Sequence, residues 1–297
     1  MSVVDKLVKL IRETSSSLQP DILKALKSAL RRERKGSSAA VVLKTILDNC
    51  AIAAKRGTPL CQDTGTLTFF VDERLRRKVT PAVLGKAVAI ATEKGYLRKN
   101  TIDAVTGKSY DDNCAEGAPV VHYVGSDSVA LGSIESGSSK SKDALRPKVT
   151  LILKGGGSEN MSRQYSLPDA VLGAGRDLEG VRKCILDAVQ KIQGYGCAPG
   201  ILGVCIGGDR ATGYEVSKEQ LLRPLVESEK TGPTSILTLE KRLLREANSL
   251  GIGPMGLGGK TTLLGVKIAA RPRVPASFFV TIAYMCWACR RRTVCVE

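Results

Sequence analysis

The stretch Thr58-Pro59-Leu60-Cys61-Gln62-Asp63-Thr64-Gly65 sets a thiol, an amide, a carboxylate and a hydroxyl in four consecutive positions, between a helical segment and an extended one. Loops at such junctions are where side chains converge on a ligand. Two further turns resemble it in composition: Lys154-Gly155-Gly156-Gly157-Ser158-Glu159-Asn160 follows an extended run, and Gly196-Cys197-Ala198-Pro199-Gly200 precedes one. Cys286 lies near the end of the sequence. Three well-separated cysteines beside glycine-rich turns suggest a metal centre assembled by folding, which requires strand ends and their loops to be brought together.

Apolar periodicity shows how the chain supplies those strand ends. Residues 3–14 place Val3, Val4, Leu7, Leu10 and Ile11 on one helical face, and a second helix starts at Pro20 and carries Leu23, Leu26 and Leu30. A third spans about 39–54, behind the cap candidates Ser37 and Ser38. Residues 67–71 read as a strand, and Thr80-Pro81 opens a helix reaching about residue 97. Residues 119–124 and 129–134 read as paired strands, and 149–153 as a strand feeding the triple glycine. Helical spacing returns at 178–192, a strand at 201–206 and a helix to about 222; a helix at 236–250 precedes apolar strands at 263–269 and 278–284. Helices and strands intermix throughout. The expected fold is α/β in the mixed α+β sense: sheets flanked by helices, with site-forming loops, in one domain over 1–297 with candidate linkers near 136–142 and 227–235.

Composition narrows the partners. The 297 residues can bury a real core, 43% are hydrophobic, and no apolar run approaches the ~18 residues of a membrane span. The first residues carry no secretory h-region, so the cytoplasm is the expected compartment, where nine cysteines point to thiols or metal ligands rather than disulfides. A net charge of +16 raises nucleic-acid binding, but aromatics are only 4% and no helix-turn-helix, zinc-finger or RNP pattern is present. The charge fits better with steering a small polyanionic substrate, with an acidic partner, or with a hot habitat.

Several motifs are weak on inspection. Gly259-Lys260-Thr261 resembles the end of a P-loop, yet the position five before Gly259 is Pro254 and the stretch follows a helix rather than a strand. It reads either as a plain helix-to-strand loop or as a glycine cradle presenting Lys260 and backbone amides to an anion. Cys286 and Cys289 form a lone CxxC, too few ligands for a closed zinc site and too near the end of the sequence for a thioredoxin motif; one binds metal and the other packs. His122, the single histidine, reads as structural. Cys50, Cys184 and Cys205 fall on core faces, and Cys114 and Cys295 have no assigned role. What remains is a three-thiolate set from Cys61, Cys197 and Cys286, which suits a 4Fe-4S cluster with one iron unprotected and Lewis-acidic.

Taken together, Cys61-Gln62-Asp63-Thr64-Gly65-Thr66, Lys154-Gly155-Gly156-Gly157-Ser158, Cys197-Ala198-Pro199-Gly200 with Ile206-Gly207-Gly208, and Gly253-Pro254-Met255-Gly256-Leu257-Gly258-Gly259-Lys260-Thr261 resemble the iron-sulfur hydro-lyases: class I fumarases and L-tartrate dehydratases, specifically the α subunit. The resemblance covers nearly the whole chain in the expected order. It implies that Cys61, Cys197 and Cys286 ligate the cluster, that Asp63 is catalytic, and that Gln62, Arg98 and Gly157 face the substrate, with Lys260 an added candidate. It also implies a β subunit carrying the proton-abstracting residues, a heterotetramer or larger assembly, and a chain that is inactive alone. The expected reaction is reversible hydration of fumarate to malate. The alternatives are tartrate dehydration and a non-catalytic basic binding protein that keeps the fold.

Overall fold

The structure is a computed structural model and describes residues 1–131, 146–225 and 233–296. In chain order its elements are α1 (Val3–Ser16), α2 (Pro20–Arg32), α3 (Ser38–Arg56), β1 (Thr66–Asp72), α4 (Pro81–Glu93), β2 (Val120–Val124), β3 (Lys148–Lys154), α5 (Gly156–Asn160), β4 (Arg163–Ser166), α6 (Leu178–Ile192), β5 (Gly200–Gly207), α7 (Arg210–Gln220), α8 (Thr234–Ser249), β6 (Leu263–Arg271), β7 (Phe279–Met285) and β8 (Arg290–Cys295). The chain divides into two compact units: Met1–Pro20, Asp48–Gly156 and Ala288–Glu297 form the first, and Asp21–Leu47 with Gly157–Trp287 the second.

The first unit is built on a sheet of order β2-β1-β3-β8. β1 runs parallel to β2 and antiparallel to β3, with Phe69 opposite Leu151. Its run Leu67–Val71, apolar but for Thr68, does not alternate because both faces are covered, and every residue of it is buried. Leu7, Ile11, Leu84 and Val88 from α1 and α4 join Phe69, Val71 and Leu151 in one core. Local chemistry starts both helices. Ser2 and Asp5 form a reciprocal capping box before α1, and Thr80 caps α4 ahead of Pro81 at its first turn. His122 lies on β2 with its ring stacked on Phe70, centroids 5.2 Å apart.

The second unit carries the sheet β4-β7-β5-β6, with β5 parallel to β6 and antiparallel to β7. Val181, Ile185 and Val189 of α6 and Leu239 and Leu243 of α8 pack with Leu202, Val204, Val266 and Ile282 of the sheet. Gly203 lets α7 lie close on β5: a Cβ there would stand 2.0 Å from the carbonyl oxygen of Ser217.

Three expectations change. Residues 129–131 form a 3-10 turn rather than a strand, residues 132–134 lie outside the described residues, and the neighbours of β2 and β1 are set by parallel pairing instead of a hairpin. β4 and β8 escape the sequence pattern because their residues are largely polar or basic. The candidate linker 136–142 lies outside the described residues, as does 227–232, whereas Pro233 caps α8 and Thr234 and Ser235 open it.

Candidate active site

In the first unit the loop that follows α3 turns into β1 at Gly65, with φ +77°. A Cβ at Gly65 would stand 2.6 Å from the carbonyl of Lys154, so a glycine is required for the loop to lie against the end of β3. That approach positions Asp63. Its Oδ2 accepts from the backbone N–H of Gly156 at 2.8 Å and its Oδ1 from Nδ2 of Asn100 at 3.2 Å. A Cβ on Gly155 would stand 2.8 Å from Asp63 Oδ2, so the glycine run is shaped around this carboxylate.

Asn100 is in turn held by a residue the sequence did not single out. Asn113 is 2% exposed at φ 61°, a left-handed conformation that asparagine tolerates. Its Oδ1 accepts from the N–H groups of Asn100 (2.8 Å) and Thr101 (3.0 Å), while Nδ2 donates to Thr92 Oγ1 (3.0 Å) and the Arg98 carbonyl (2.8 Å). The 98–101 segment is therefore fixed beside the Cys61–Gly65 loop. Buried Thr64 accepts from the Arg98 N–H at 3.3 Å, and the exposed Arg98 guanidinium donates to the Gln62 carbonyl at 3.4 Å. Gln62, Asp63 and Arg98 thus come together, with Cys61 half-buried at the head of the loop.

In the second unit the turn before β5 carries a cis Ala198–Pro199 peptide and sets Cys197 at φ 53°, with its side chain exposed. The carbonyl of Cys197 accepts from the Trp287 N–H at 3.3 Å, which ties this turn to the segment holding half-buried Cys286. Buried Ser158 steadies that segment by accepting from the Cys286 N–H at 3.2 Å. Beside it, Gly157 has open space: a Cβ there would meet no described atom within 4 Å, so packing does not demand a glycine. Between Gly253 and Gly259 the chain takes left-handed turns, and Gly253 needs its missing side chain because a Cβ would stand 1.9 Å from the Gly258 carbonyl. The Lys260 N–H donates to both carboxylate oxygens of Glu33, at 2.9 and 3.0 Å. That amide is committed to Glu33 and is not part of an anion cradle; the exposed Lys260 side chain is what the loop presents.

Burial sorts the cysteines. Cys50, Cys184 and Cys205 are core thiols, as their helix and strand faces indicated, and burial pushes them up to about 11, 12 and 11. Cys289 is fully buried, while Cys286, three residues earlier, is not. Cys114 is half-buried, with its thiol 3.4 Å from the Gly85 carbonyl. Among the described residues, no three or more His, Cys, Asp or Glu side chains are grouped in a metal-binding arrangement. Cys61 belongs to the first unit, and Cys197 and Cys286 to the second.

The family described as Fumarate hydratase (Fumerase) matches residues 4–295. The chain belongs to this family of hydro-lyases. A Geobacillus stearothermophilus relative named as a class I fumarate hydratase is 45% identical over 99% of the chain, which spans about half (54%) of that relative's length. Two relatives named as L(+)-tartrate dehydratase subunit alpha are matched over nearly their full length. One, from Methanocaldococcus jannaschii, is 32% identical over 98% of this chain and 96% of its own length. The other, from Escherichia coli O157:H7, is 30% identical over 99% of this chain and 92% of its own. Among the described residues of this fumarase-family chain, no helix is long and apolar enough to cross a membrane.

Proposed function

We propose that the chain is the α subunit of a cytoplasmic iron-sulfur hydro-lyase which, with a β subunit in a heterotetramer or larger assembly, reversibly hydrates fumarate to L-malate as in the tricarboxylic acid cycle. Cys61, Cys197 and Cys286 hold a 4Fe-4S cluster in this reading. The observation that carries it is the contrast among thiols within a fumarase-family chain. Cys61, Cys197 and Cys286 stand at loop or turn positions and are not sealed in the core, whereas Cys50, Cys184, Cys205 and Cys289 are; Cys114 and Cys295 are also partly exposed but lie outside the motifs of the family resemblance. Accessible thiols with glycine turns around them are a donor set that fits an iron-sulfur group. When bound, such a cluster supplies a Lewis-acidic iron for a substrate hydroxyl and carboxylate.

The chain's own residues do the rest. Asp63, fixed by the Gly156 N–H and Asn100 Nδ2, keeps lone pairs with which to orient the hydroxyl or water and to hold a proton there. The exposed cations Arg98 and Lys260 offer charge to the substrate carboxylates, Gln62 offers its amide, and the open flank of Gly157 leaves room for backbone approach. A base on the β subunit handles the C3 proton. Support for a separate β subunit comes from the tartrate dehydratase α relatives, which this chain matches over 92–96% of their length. The same relatives favour L(+)-tartrate dehydration as the second reading.

The assay is anaerobic reconstitution of the chain, mixing with the β partner, and measurement with fumarate, L-malate and L(+)-tartrate. The expected result is no turnover by the chain alone and fumarate hydration on mixing. Turnover of tartrate without fumarate selects the second reading, and full activity from the chain alone contradicts a divided site.

A further inference from the structure

Tyr284 lies near the end of β7 at 2% exposure, and its hydroxyl is buried with no hydrogen-bond partner among the described atoms. A sealed hydroxyl left unmet is unfavourable and uncommon. The surroundings make it odder still. The turn that carries Cys197 is closed at each end by a glycine packed on this ring. A Cβ on Gly196 would stand 2.3 Å from the ring Cε1, and one on Gly200 would stand 2.4 Å from the hydroxyl oxygen itself. Two residues around Cys197 therefore give up their side chains to admit a phenol. Apolar packing alone would be served as well by phenylalanine, without the unmet group.

The position explains what the oxygen could serve. Tyr284 precedes Cys286 by two residues, the spacing that returns a side chain to the same face of an extended chain. The oxygen itself lies against Gly200, which ends the turn carrying Cys197, so the unmet hydroxyl is held beside that turn.

Resting on the iron-sulfur reading above, we propose that the Tyr284 hydroxyl is a positioning donor to sulfur of the metal centre, at Cys197, Cys286 or a cluster sulfide, and that it sets the centre's reduction potential and resistance to air. Hydrogen bonds to sulfur are a protein's means of tuning such centres: a donor favours the more negative, reduced state, so its removal lowers the potential.

The test compares full-length wild type and Tyr284→Phe after anaerobic reconstitution, reading iron content, reduction potential and the rate of iron loss in air, alongside thermal melting of the metal-free chains. Equal iron loading is expected, with a more negative potential in the variant and iron loss roughly tenfold faster, the factor carried by one hydrogen bond to a charged acceptor. Metal-free Tyr284→Phe should melt at a higher temperature than wild type, since the unmet hydroxyl is gone. Site-specific 3-fluorotyrosine at position 284, a stronger donor of nearly the same shape, should move the potential the other way; this keeps the idea testable even where the phenylalanine variant does not fold. Equal potentials in all loaded proteins overturn the proposal and leave the cluster reading standing. A wild type that holds no iron overturns both, and is recognised without any variant.

Discussion

Asp63→Asn is expected to lower kcat for fumarate hydration by roughly a thousandfold, the middle of the range for a positioned acid–base group, with iron content unchanged. The carboxylate accepts on both oxygens, from Gly156 N–H at 2.8 Å and Asn100 Nδ2 at 3.2 Å. An asparagine can satisfy only one of these donors and turns its own N–H2 toward the other. It keeps the size of the side chain and loses the charge that orients the hydroxyl. The fold should lose no more than about 2 kcal/mol, because Asn100 is exposed and water replaces its bond. The two effects separate cleanly in steady-state kinetics with the β partner: a fall in kcat at nearly constant KM and constant iron. A reduction of less than about tenfold would make Asp63 a structural cap of Gly155 and Gly156 and nothing more.

Asn113→Ala should destabilise the first unit by roughly 4 kcal/mol of unfolding free energy. Four hydrogen bonds from one 2%-exposed side chain hold the Asn100 and Thr101 amides, the Arg98 carbonyl and the Thr92 hydroxyl. Alanine leaves those groups unmet and must also adopt φ 61°, which asparagine accepts far more readily. Activity should fall with stability, since Asn100 and Arg98 lose the anchor that sets them beside Asp63 and Gln62. Asn113→Asp restores the acceptor toward the two amides but not the donor, and should recover about half of the loss. Urea unfolding followed by circular dichroism measures this directly; a loss under about 1 kcal/mol would mean that the 98–101 segment is held by other contacts.

The contrast between these two residues shows what a sequence exposes. Asp63 stands in a dense motif beside a cysteine and a glycine, so its chemistry is visible. Asn113 lies in an irregular loop, and its importance comes from backbone groups in the 98–101 segment that approach it only after folding. The apolar helices and strands were legible from period: α6 and β5 fall almost where Val181, Ile185 and Val189, or Ile201–Ile206, place them. β8 was hidden because Arg290, Arg291 and Arg292 occupy strand positions, two of them buried, against the usual compositional signal. Parallel pairing of β1 with β2 was also out of reach, since adjacency across an intervening α4 leaves no local mark. Cys50, Cys184 and Cys205 could be sorted as core thiols from periodicity alone. Tyr284 could not be distinguished from any other apolar strand residue until Gly196 and Gly200 were seen against its ring.

The proposed chemistry requires an iron-sulfur centre in this chain, so the deciding measurement is iron and acid-labile sulfide content, with the visible spectrum, after anaerobic reconstitution of wild type and Cys61→Ser. About four irons and as many sulfides per wild-type chain, with a damaged or absent centre in Cys61→Ser, is the predicted result. No bound iron in either protein, or an identical intact centre in both, would contradict it.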